Sequence, residues 1–292
     1  MIACSPGKQP LWRYLEATNS RSMGESNLKH CRLASFADAG SAVDAFIARE
    51  ADAVGVIGAT YLRLQKRSEI ELSMFQPVTW LAQGPVLCAQ GSLNDGGVLA
   101  LKNQSVACWP LASDLMAYWR ALIFHNYGYR LEELFDLSST PTPRQLLKNG
   151  QVKAAFVTAE SMIKLGNEGF HQVTDIRTEW DRALGGGWMP VMGGLVSRRK
   201  WVDENRPLLD DLSARLLEGL RLYRADKETF LSNISKWKGI SPSLIMEKAE
   251  AAFWCSYWGM DLLNEDRLQL SPQDWKDIVT LEDMMRAAGC LT

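Results

Sequence analysis

Short turns that follow strand-like segments carry the residue types most suited to ligand binding. Ser5-Pro6-Gly7 follows the first strand-like segment, and Gly58-Ala59-Thr60 follows a longer apolar one. Backbone N–H groups at the start of a helix bind anions, small residues let a ligand approach the backbone, and the Thr60 hydroxyl can donate to an acceptor. Both turns also have a structural interpretation, as a tight turn and as close packing of a helix on a strand.

A third turn joins a strand-like segment to a helix-like one and contains Trp109, Ser113 and Asp114. Ser113 suits a helix N-cap, and the same geometry can bind an acceptor group through N–H donors. Asp114 opposes an anion there, which favours a neutral or cationic heterocycle as the ligand. Trp109 can stack on such a ring, but packing in a core explains it equally well.

Two further candidates lie later in the chain. Glu160 ends another strand-like segment, where a carboxylate can accept from an amine or a ring N–H; alternatively, it is an acid favoured by the helix dipole. Trp188 follows Gly185-Gly186-Gly187, which suits a flexible or ligand-approaching turn. Its ring is interpreted as an aromatic lid or as a buried anchor at a hinge.

The sequence contains no catalytic or metal-binding pattern. His30, His125 and His171 are scattered without partner spacing, and the nucleophile-elbow, HExxH, P-loop and dinucleotide motifs are missing. We therefore expect neither a metal nor a cofactor, and we assign no catalytic residue.

The six cysteines form no CxxC pair and show no metal-ligand spacing with the histidines. Cys31, Cys88 and Cys108 lie in apolar segments, which predicts small core residues in a reducing environment. A disulfide framework is not expected in a chain of 292 residues.

Composition and charge are those of an ordinary globular protein. Hydrophobic residues make up 47% and charged residues 23%, and 32 basic against 34 acidic residues give a formal charge of −2. This balance favours neither nucleic acid nor an anionic membrane surface as a partner. No apolar stretch reaches the roughly 18 residues of a membrane-spanning helix. No signal-peptide pattern precedes Ser5, which predicts a cytosolic protein or one whose leader was removed.

Strand-like and helix-like segments alternate along most of the chain. Among the helices, 38–49 is expected to bury Val43, Phe46 and Ile47 on one face. The alternation predicts an α/β fold of mainly parallel sheets with helices on both faces. The strand-like segments are 2–4, 29–36, 51–57, 77–83, 85–90, 105–109, 152–158 and 192–197, and the other helix-like segments are 11–18, 114–127 and 142–148.

A weak internal repeat relates residues 47–57 to residues 148–158, an offset of 101 residues from Ile47 to Lys148. Both copies combine a helix end, a tight turn and a short apolar strand. Two such units, separated along the sequence by about the length of one lobe, predict two similarly built lobes.

The C-terminal third shows only helical patterns. An apolar face is expected on the helix after Trp201, and another amphipathic helix is predicted over 241–257. Ser271-Pro272 begins the last helix, which carries Trp275, Ile278 and Met284. The expected apolar face consists of Leu209, Leu212, Leu216, Leu220 and Tyr223.

Several of these segments, in this order and spacing, give the chain a family resemblance. It resembles the solute-binding proteins of ABC importers for nitrate, sulfonate, taurine and thiamine-precursor pyrimidines. The matching pieces are Ser5-Pro6-Gly7 with Pro10-Leu11-Trp12, residues 51–60, 106–110 and 148–155, and the tail from Gly239 to Met285.

The resemblance implies a two-lobed periplasmic-binding-protein type II fold. One lobe would comprise residues 1–88 and 191–292, and the other residues 89–190, with chain crossovers near Cys88 to Gln90 and near Pro190. It also implies a small-molecule ligand between the lobes, at the turns described above. The expected protein is a monomer that delivers its ligand to a membrane permease, and a periplasmic one if a leader was removed.

Two other functions remain open from the sequence. Cytosolic enzymes of menaquinone and thiamine-precursor synthesis resemble these binding proteins, and catalysis would then rest on polar residues such as Asp114 and Glu160. The sensor lobe of a transcription regulator is a third alternative, although the chain has no DNA-binding segment.

Overall fold

The computed structural model divides the chain into two compact units. The first contains residues 1–81 and 189–275, and the second contains residues 82–188 and 276–292. Val86–Gln90 already pairs within the second unit, so the chain changes unit before the expected position near Cys88, and its last residues group with the second unit rather than the first. The described residues are 1–4, 10–19, 31–36, 38–67, 71–80, 84–91, 96–186, 190–235, 248–257 and 259–291.

The first unit is built on a five-stranded sheet in the order β2-β1-β3-β10-β4. Strands β1, β2 and β3 are mutually parallel, and β10 runs antiparallel between β3 and β4. The chain therefore leaves this sheet after β4 and returns to its interior much later. The strands are β1 (Ile2–Cys4), β2 (Leu33–Ser35), β3 (Ala53–Ile57), β4 (Leu72–Trp80) and β10 (Val191–Arg198).

The second unit repeats this arrangement in the order β7-β6-β8-β5-β9. Strands β6, β7 and β8 are parallel, and β5 is the antiparallel strand next to β8. Strands β3 and β8 hold the same position in their sheets, which confirms the internal repeat. The strands are β5 (Val86–Gln90), β6 (Ser105–Cys108), β7 (Asp136–Ser139), β8 (Ala154–Val157) and β9 (Phe170–Asp175).

Helices connect the strands in both units. Those of the first unit are α1 (Pro10–Asn19), α2 (Ala39–Ile47), α3 (Gly58–Arg67), α9 (Arg199–Glu204), α10 (Arg206–Ala225), α11 (Lys227–Ser235) and α12 (Lys248–Tyr257). Those of the second are α4 (Asp114–Tyr127), α5 (Leu131–Leu134), α6 (Pro143–Lys148), α7 (Ala159–Gly166) and α8 (Ile176–Leu184). Helix α13 (Pro272–Ala287) begins in the first unit.

The C-terminal helices of the first unit pack around Tyr14 of α1. Its ring stacks on Phe230 of α11 at 5.5 Å between centroids, and its hydroxyl donates to Glu218 Oε1 at 3.0 Å. A Cβ on Gly219 would lie 2.6 Å from Tyr14 Cδ1, so this glycine lets α10 approach α1. The expected apolar face of α10 is confirmed, because all five of its residues are buried.

The core of the second unit centres on α4. Trp119 lies 4.9 Å from Phe156 of β8 between ring centroids, and Tyr118 lies 6.3 Å from Trp180 of α8. Helix α4 has the predicted bounds, and Gly128, at φ 74°, ends it in the left-handed conformation that glycine tolerates.

One expectation about a buried residue is wrong. Ile47 is 59% exposed, because α2 buries Ala42, Ala45 and Phe46 instead, at the i, i+3 and i+4 spacing of one helical face. In α13, Ile278 and Met284 are buried, whereas Trp275 is 37% exposed.

Several element boundaries also differ from the sequence patterns. Strand β4 begins at Leu72 and contains Pro77, which the sequence placed at a strand start. Strands β7 and β9 and helix α3 were not predicted. Asp136–Ser139 has one apolar residue and forms the exposed edge of its sheet, so it lacks the alternation that identifies a half-buried strand.

Within the described ranges, no helix is both long and apolar enough to cross a membrane.

Strand β10 has no room for side chains at two positions between its neighbours. A Cβ on Gly193 would lie 2.4 Å from Val56 O, and one on Gly194 would lie 2.5 Å from Gln76 O. The pairing of β10 with β4 shifts register around these glycines. Only glycine lets three backbones approach this closely.

We expect Gly193→Ala to lower the free energy of unfolding of the first unit by roughly 1–3 kcal/mol or more, because the new methyl overlaps the β3 backbone. Gly166→Ala is the matched control, since its Cβ would meet nothing within 4 Å at the end of α7. Urea unfolding measures both changes. An unchanged midpoint for Gly193→Ala would contradict the close approach of these strands.

Candidate functional site

The described candidates of the first unit lie where β3 ends. Helix α3 starts at Gly58 directly after Ile57, and Gly58 and Ala59 are buried while Thr60 is half-buried. The turn is thus the N-terminus of a ten-residue helix at the carboxyl edge of the sheet. The dipole of a helix N-terminus and its first backbone N–H groups favour an acceptor group there. Ser5, Pro6 and Gly7 lie outside the described residues.

Two neighbouring strands add features to the same edge. Gly193 of β10 pairs with Ile57, so the close approach of β10 borders the start of α3. Trp80 ends β4 opposite Val191 and is 1% exposed. Its indole Nε1 is buried and makes no hydrogen bond to the described part of the chain. A buried donor without a partner is costly in a folded protein, and the sequence did not single it out.

In the second unit, Ser113 and Asp114 lie where the chain leaves β6 and enters α4. Ser113 holds the predicted N-cap position, but its side chain makes no capping hydrogen bond. Its Oγ is buried and has no hydrogen-bond partner among the residues described. Asp114 is the first residue of α4, and Trp109 is half-buried at the end of β6.

Glu160 lies in the first turn of α7, directly after β8. Thr158 caps this helix, accepting from Ser161 N at 3.2 Å while its hydroxyl donates to Ser161 Oγ at 3.1 Å. The side chain of Glu160 and the whole of Trp188 lie outside the described part of the chain.

Strand pairing brings the turns after β6 and β8 together with the segment after β7 at one edge of the second sheet. Cys108 of β6 pairs with Ser139 of β7, and Ala107 pairs with Ala155 of β8. Neighbouring strands lie about 4.8 Å apart, so the segments that follow β7, β6 and β8 emerge side by side. The starts of α6, α4 and α7 therefore share one edge.

This arrangement reveals residues that the sequence patterns missed. Thr140 continues β7, donating its N–H to Cys108 O at 2.8 Å, and its Oγ1 lies 3.4 Å from Thr142 Oγ1. Arg144 follows in the first turn of α6, and its Nε is buried without a hydrogen-bond partner in the described chain. The run of serines and threonines before Pro143 was the available signal, but it has meaning only once β7 is known to be a strand.

The edge thus combines donors, hydroxyl groups and charges of both signs. Asp114 brings an acidic group, Arg144 brings a cation, and the N-termini of α4 and α7 bring backbone N–H groups. Such a set can hold polar groups of a small molecule by hydrogen bonds and charge.

The Cys108 thiol is unsuited to nucleophilic chemistry. Cys108 ends β6 at this edge but is fully buried, and burial raises the pKa of its thiol to about 11. It is therefore neutral at pH 7, whereas the thiolate is the nucleophilic form. Over the described ranges, no group of three or more potential ligands could hold a metal ion.

Glu179 is a buried carboxylate that stabilises the second unit. It accepts hydrogen bonds from Thr174 Oγ1 at 2.6 Å, Asn126 Nδ2 at 2.9 Å and Tyr127 Oη at 3.1 Å, and it forms an ion pair with Arg182 at 2.9 Å. Asn126 and Tyr127 end α4, about 18 Å along the helix from Asp114. Glu179 thus ties α4 to α8 and β9, away from the start of α4.

Burial raises the pKa of Glu179 above its ordinary value of 4.5, although hydrogen bonds from Thr174 and Asn126 act in the opposite direction. The folded state then holds this proton more tightly than the unfolded state. Its contribution to stability is complete below pH 4.5 and is lost as the pH rises through the folded pKa.

Relative to wild type, we expect Glu179→Gln to lose less stability as the pH rises from 4.5 towards about 7.5. The measurement is the urea-unfolding free energy of both proteins across this range. Glu50→Gln, at an exposed carboxylate, controls for the loss of one charge. A stability difference that stays constant with pH would show that this carboxylate does not titrate differently on folding.

Comparison with known structures identifies the fold. No protein-family model matches the sequence, and no curated protein sequence matches it. The periplasmic aliphatic sulphonate binding protein SsuA from Escherichia coli superposes with a TM-score of 0.72 at 12% identity, covering 99% of this chain and 87% of that one.

Two further structures agree. The alkanesulfonate-binding protein SsuA from Xanthomonas axonopodis pv. citri, bound to MOPS, gives a TM-score of 0.67 at 15% identity, covering 100% of this chain and 93% of that one. A ligand-binding component of an ABC-type import system from Staphylococcus aureus, with zinc bound, gives 0.63 at 11% identity, covering 98% and 91%. The chain therefore has the two-lobed α/β fold of periplasmic binding proteins, as predicted.

Proposed function

We propose that this chain is a solute-binding protein that captures a small organic molecule for an ABC importer. The residues proposed to contact the ligand are the sequence candidates Ser5, Pro6, Gly7, Gly58, Ala59, Thr60, Trp109, Ser113, Asp114, Glu160 and Trp188, together with Arg144.

One observation carries this proposal. Every described candidate follows the carboxyl end of a strand: Trp109 comes directly after β6, and the others lie in the first turns of α3, α4, α6 or α7 or immediately before them. In open α/β sheets, ligands bind outside the carboxyl ends of the strands. Solved structures with this fold include the ligand-binding proteins named above, which supports a binding role.

The charges at the edge of the second sheet favour one ligand class. Asp114 and Glu160 suit a ligand amine or ring N–H, whereas Ser113 Oγ, Arg144 Nε and the helix N-termini suit a ligand acceptor. A simple oxyanion such as nitrate satisfies only the second set. We therefore favour a ring that carries both an amine and an acceptor, as an aminopyrimidine does, over a bare oxyanion, with sulfonates as the next class to test.

The partner in this proposal is the membrane permease of the importer, and the place of action is the periplasm. The protein acts as a monomer that binds and releases one ligand.

A thermal-shift screen of aminopyrimidines, alkanesulfonates, nitrate and aromatic acids tests the ligand class. We expect a compound with both an amine and an acceptor to raise the unfolding temperature by about 5 °C at 100 times its Kd. Mass spectrometry after long incubation is expected to recover that compound unchanged. Stabilisation by no member of the panel would oppose the binding role, and a converted compound would favour an enzyme.

Two substitutions test the residues of the edge. Asp114→Asn and Arg144→Gln should each weaken binding of the stabilising compound about tenfold or more, because each removes a charge-assisted hydrogen bond. Asp136→Asn is the matched control, since Asp136 is exposed and begins β7 at the opposite edge of the same sheet. Calorimetric titration gives the three affinities. Equal weakening by Asp114→Asn and Asp136→Asn would point to a general charge effect instead.

A further inference from the structure

A cavity lies at the edge of the first sheet opposite to the start of α3. It has a volume of about 340 Å³, within the range of small-molecule sites. Its wall contains Met1 with Ile2, Cys31 and Asp52, which stand at or just before the starts of β1, β2 and β3. It therefore lies at the amino edge, whereas Gly58 and Thr60 follow the carboxyl end of β3.

The junction between α9 and α10 forms the rest of the wall, through Trp201, Glu204, Asn205, Pro207 and Leu208. The charged groups of the lining are thus the carboxylates of Asp52 and Glu204 and the α-amino group of Met1, two negative charges against one positive charge. Burial raises the pKa of the Cys31 thiol to about 11, so it adds no charge at pH 7. The side chains give the cavity an acidic character.

Asp52 is held in place by its backbone. Its N–H donates to Met1 O at 2.8 Å, and its carbonyl accepts from Ser197 Oγ at 2.5 Å. Its Oδ2 lies 2.5 Å from the α-amino nitrogen of Met1. The wall therefore already places this carboxylate against an ammonium group, and the Asp52 side chain is half-exposed.

The opposite wall is equally well fixed. Asn205 Nδ2 donates to Trp201 O at 2.8 Å, which closes the turn between the two helices. The Trp201 ring packs against Phe75 of β4 at 6.2 Å between centroids. An indole ring attracts a cation over its face, and more strongly when the cation is also near a carboxylate and partly desolvated. Glu204 Oε1 lies 3.7 Å from Nζ of exposed Lys200. At this distance the ion pair is loose, and the Glu204 carboxylate can still accept from a ligand.

We propose that this cavity is a second binding site, separate from the carboxyl-edge residues, for a small organic ammonium ion with an apolar body. The ammonium lies between the carboxylates of Asp52 and Glu204 and the face of Trp201. The apolar body contacts Leu208. A neutral isostere lacks the charge that this wall recognises, and an anion is repelled by it.

The probe is 4-fluorobenzylamine, observed by fluorine NMR in titration with the full chain, beside 4-fluorobenzyl alcohol and 4-fluorobenzoate. We expect the amine to bind with a Kd of about 1 mM or tighter and the alcohol at least about tenfold more weakly. The benzoate should not bind at this site. Equal binding of amine and alcohol, or no binding of the amine at about 10 mM, would overturn the proposal.

Variants locate the site. Asp52→Asn and Glu204→Gln change exposed carboxylates, and each should weaken amine binding about fivefold to tenfold. Glu50→Gln removes the same charge from an exposed residue outside the lining and should leave the affinity unchanged. Asp114→Asn should also leave it unchanged, which separates this cavity from the proposed solute site. Weakening by Glu50→Gln or Asp114→Asn equal to that by Asp52→Asn would refute a site in this cavity.

Discussion

The backbone of β10 lies so close to β3 and β4 that neither Gly193 nor Gly194 has space for a Cβ. The first unit depends on this contact because its chain is discontinuous: residues 1–81 and 189–275 meet through β10 in the interior of the sheet. The same close approach borders Ile57 and therefore the start of α3. A backbone constraint of the fold and the placement of candidate ligand-binding residues thus coincide at one point.

In the second sheet, β5 holds the position that β10 holds in the first. Because both sheets have the same strand order, β3 and β8 lead into helices at equivalent positions. Each helix start presents backbone donors and a small or hydroxyl-bearing residue at the carboxyl edge. The chemistry differs between the sheets, since the segments after β6, β7 and β8 add Asp114, Arg144 and Glu160. Ligand preference in our proposal follows from these additions, whereas the fold fixes only where they stand.

Local patterns predicted much of the framework. The end of α4 follows from Gly128, and the buried face of α10 follows from helical spacing. The candidates Thr60, Ser113 and Asp114 were found because turns after apolar strands are recognisable from the sequence. Arg144 and Thr140 were missed because β7 has almost no apolar residues. Ile47 was misplaced because apolar character alone does not say which face of a short helix is covered.

By itself, the sequence determined the α/β alternation, most helix positions, the internal repeat and the turns that carry polar residues. Each of these features is recognised from residue patterns within short windows of sequence. The tertiary structure alone decided that Arg144 shares an edge with Asp114, and that Cys31, Asp52 and Trp201 enclose one cavity. Those groupings arise from strand register and from contacts between residues far apart in sequence, and no local spacing encodes them.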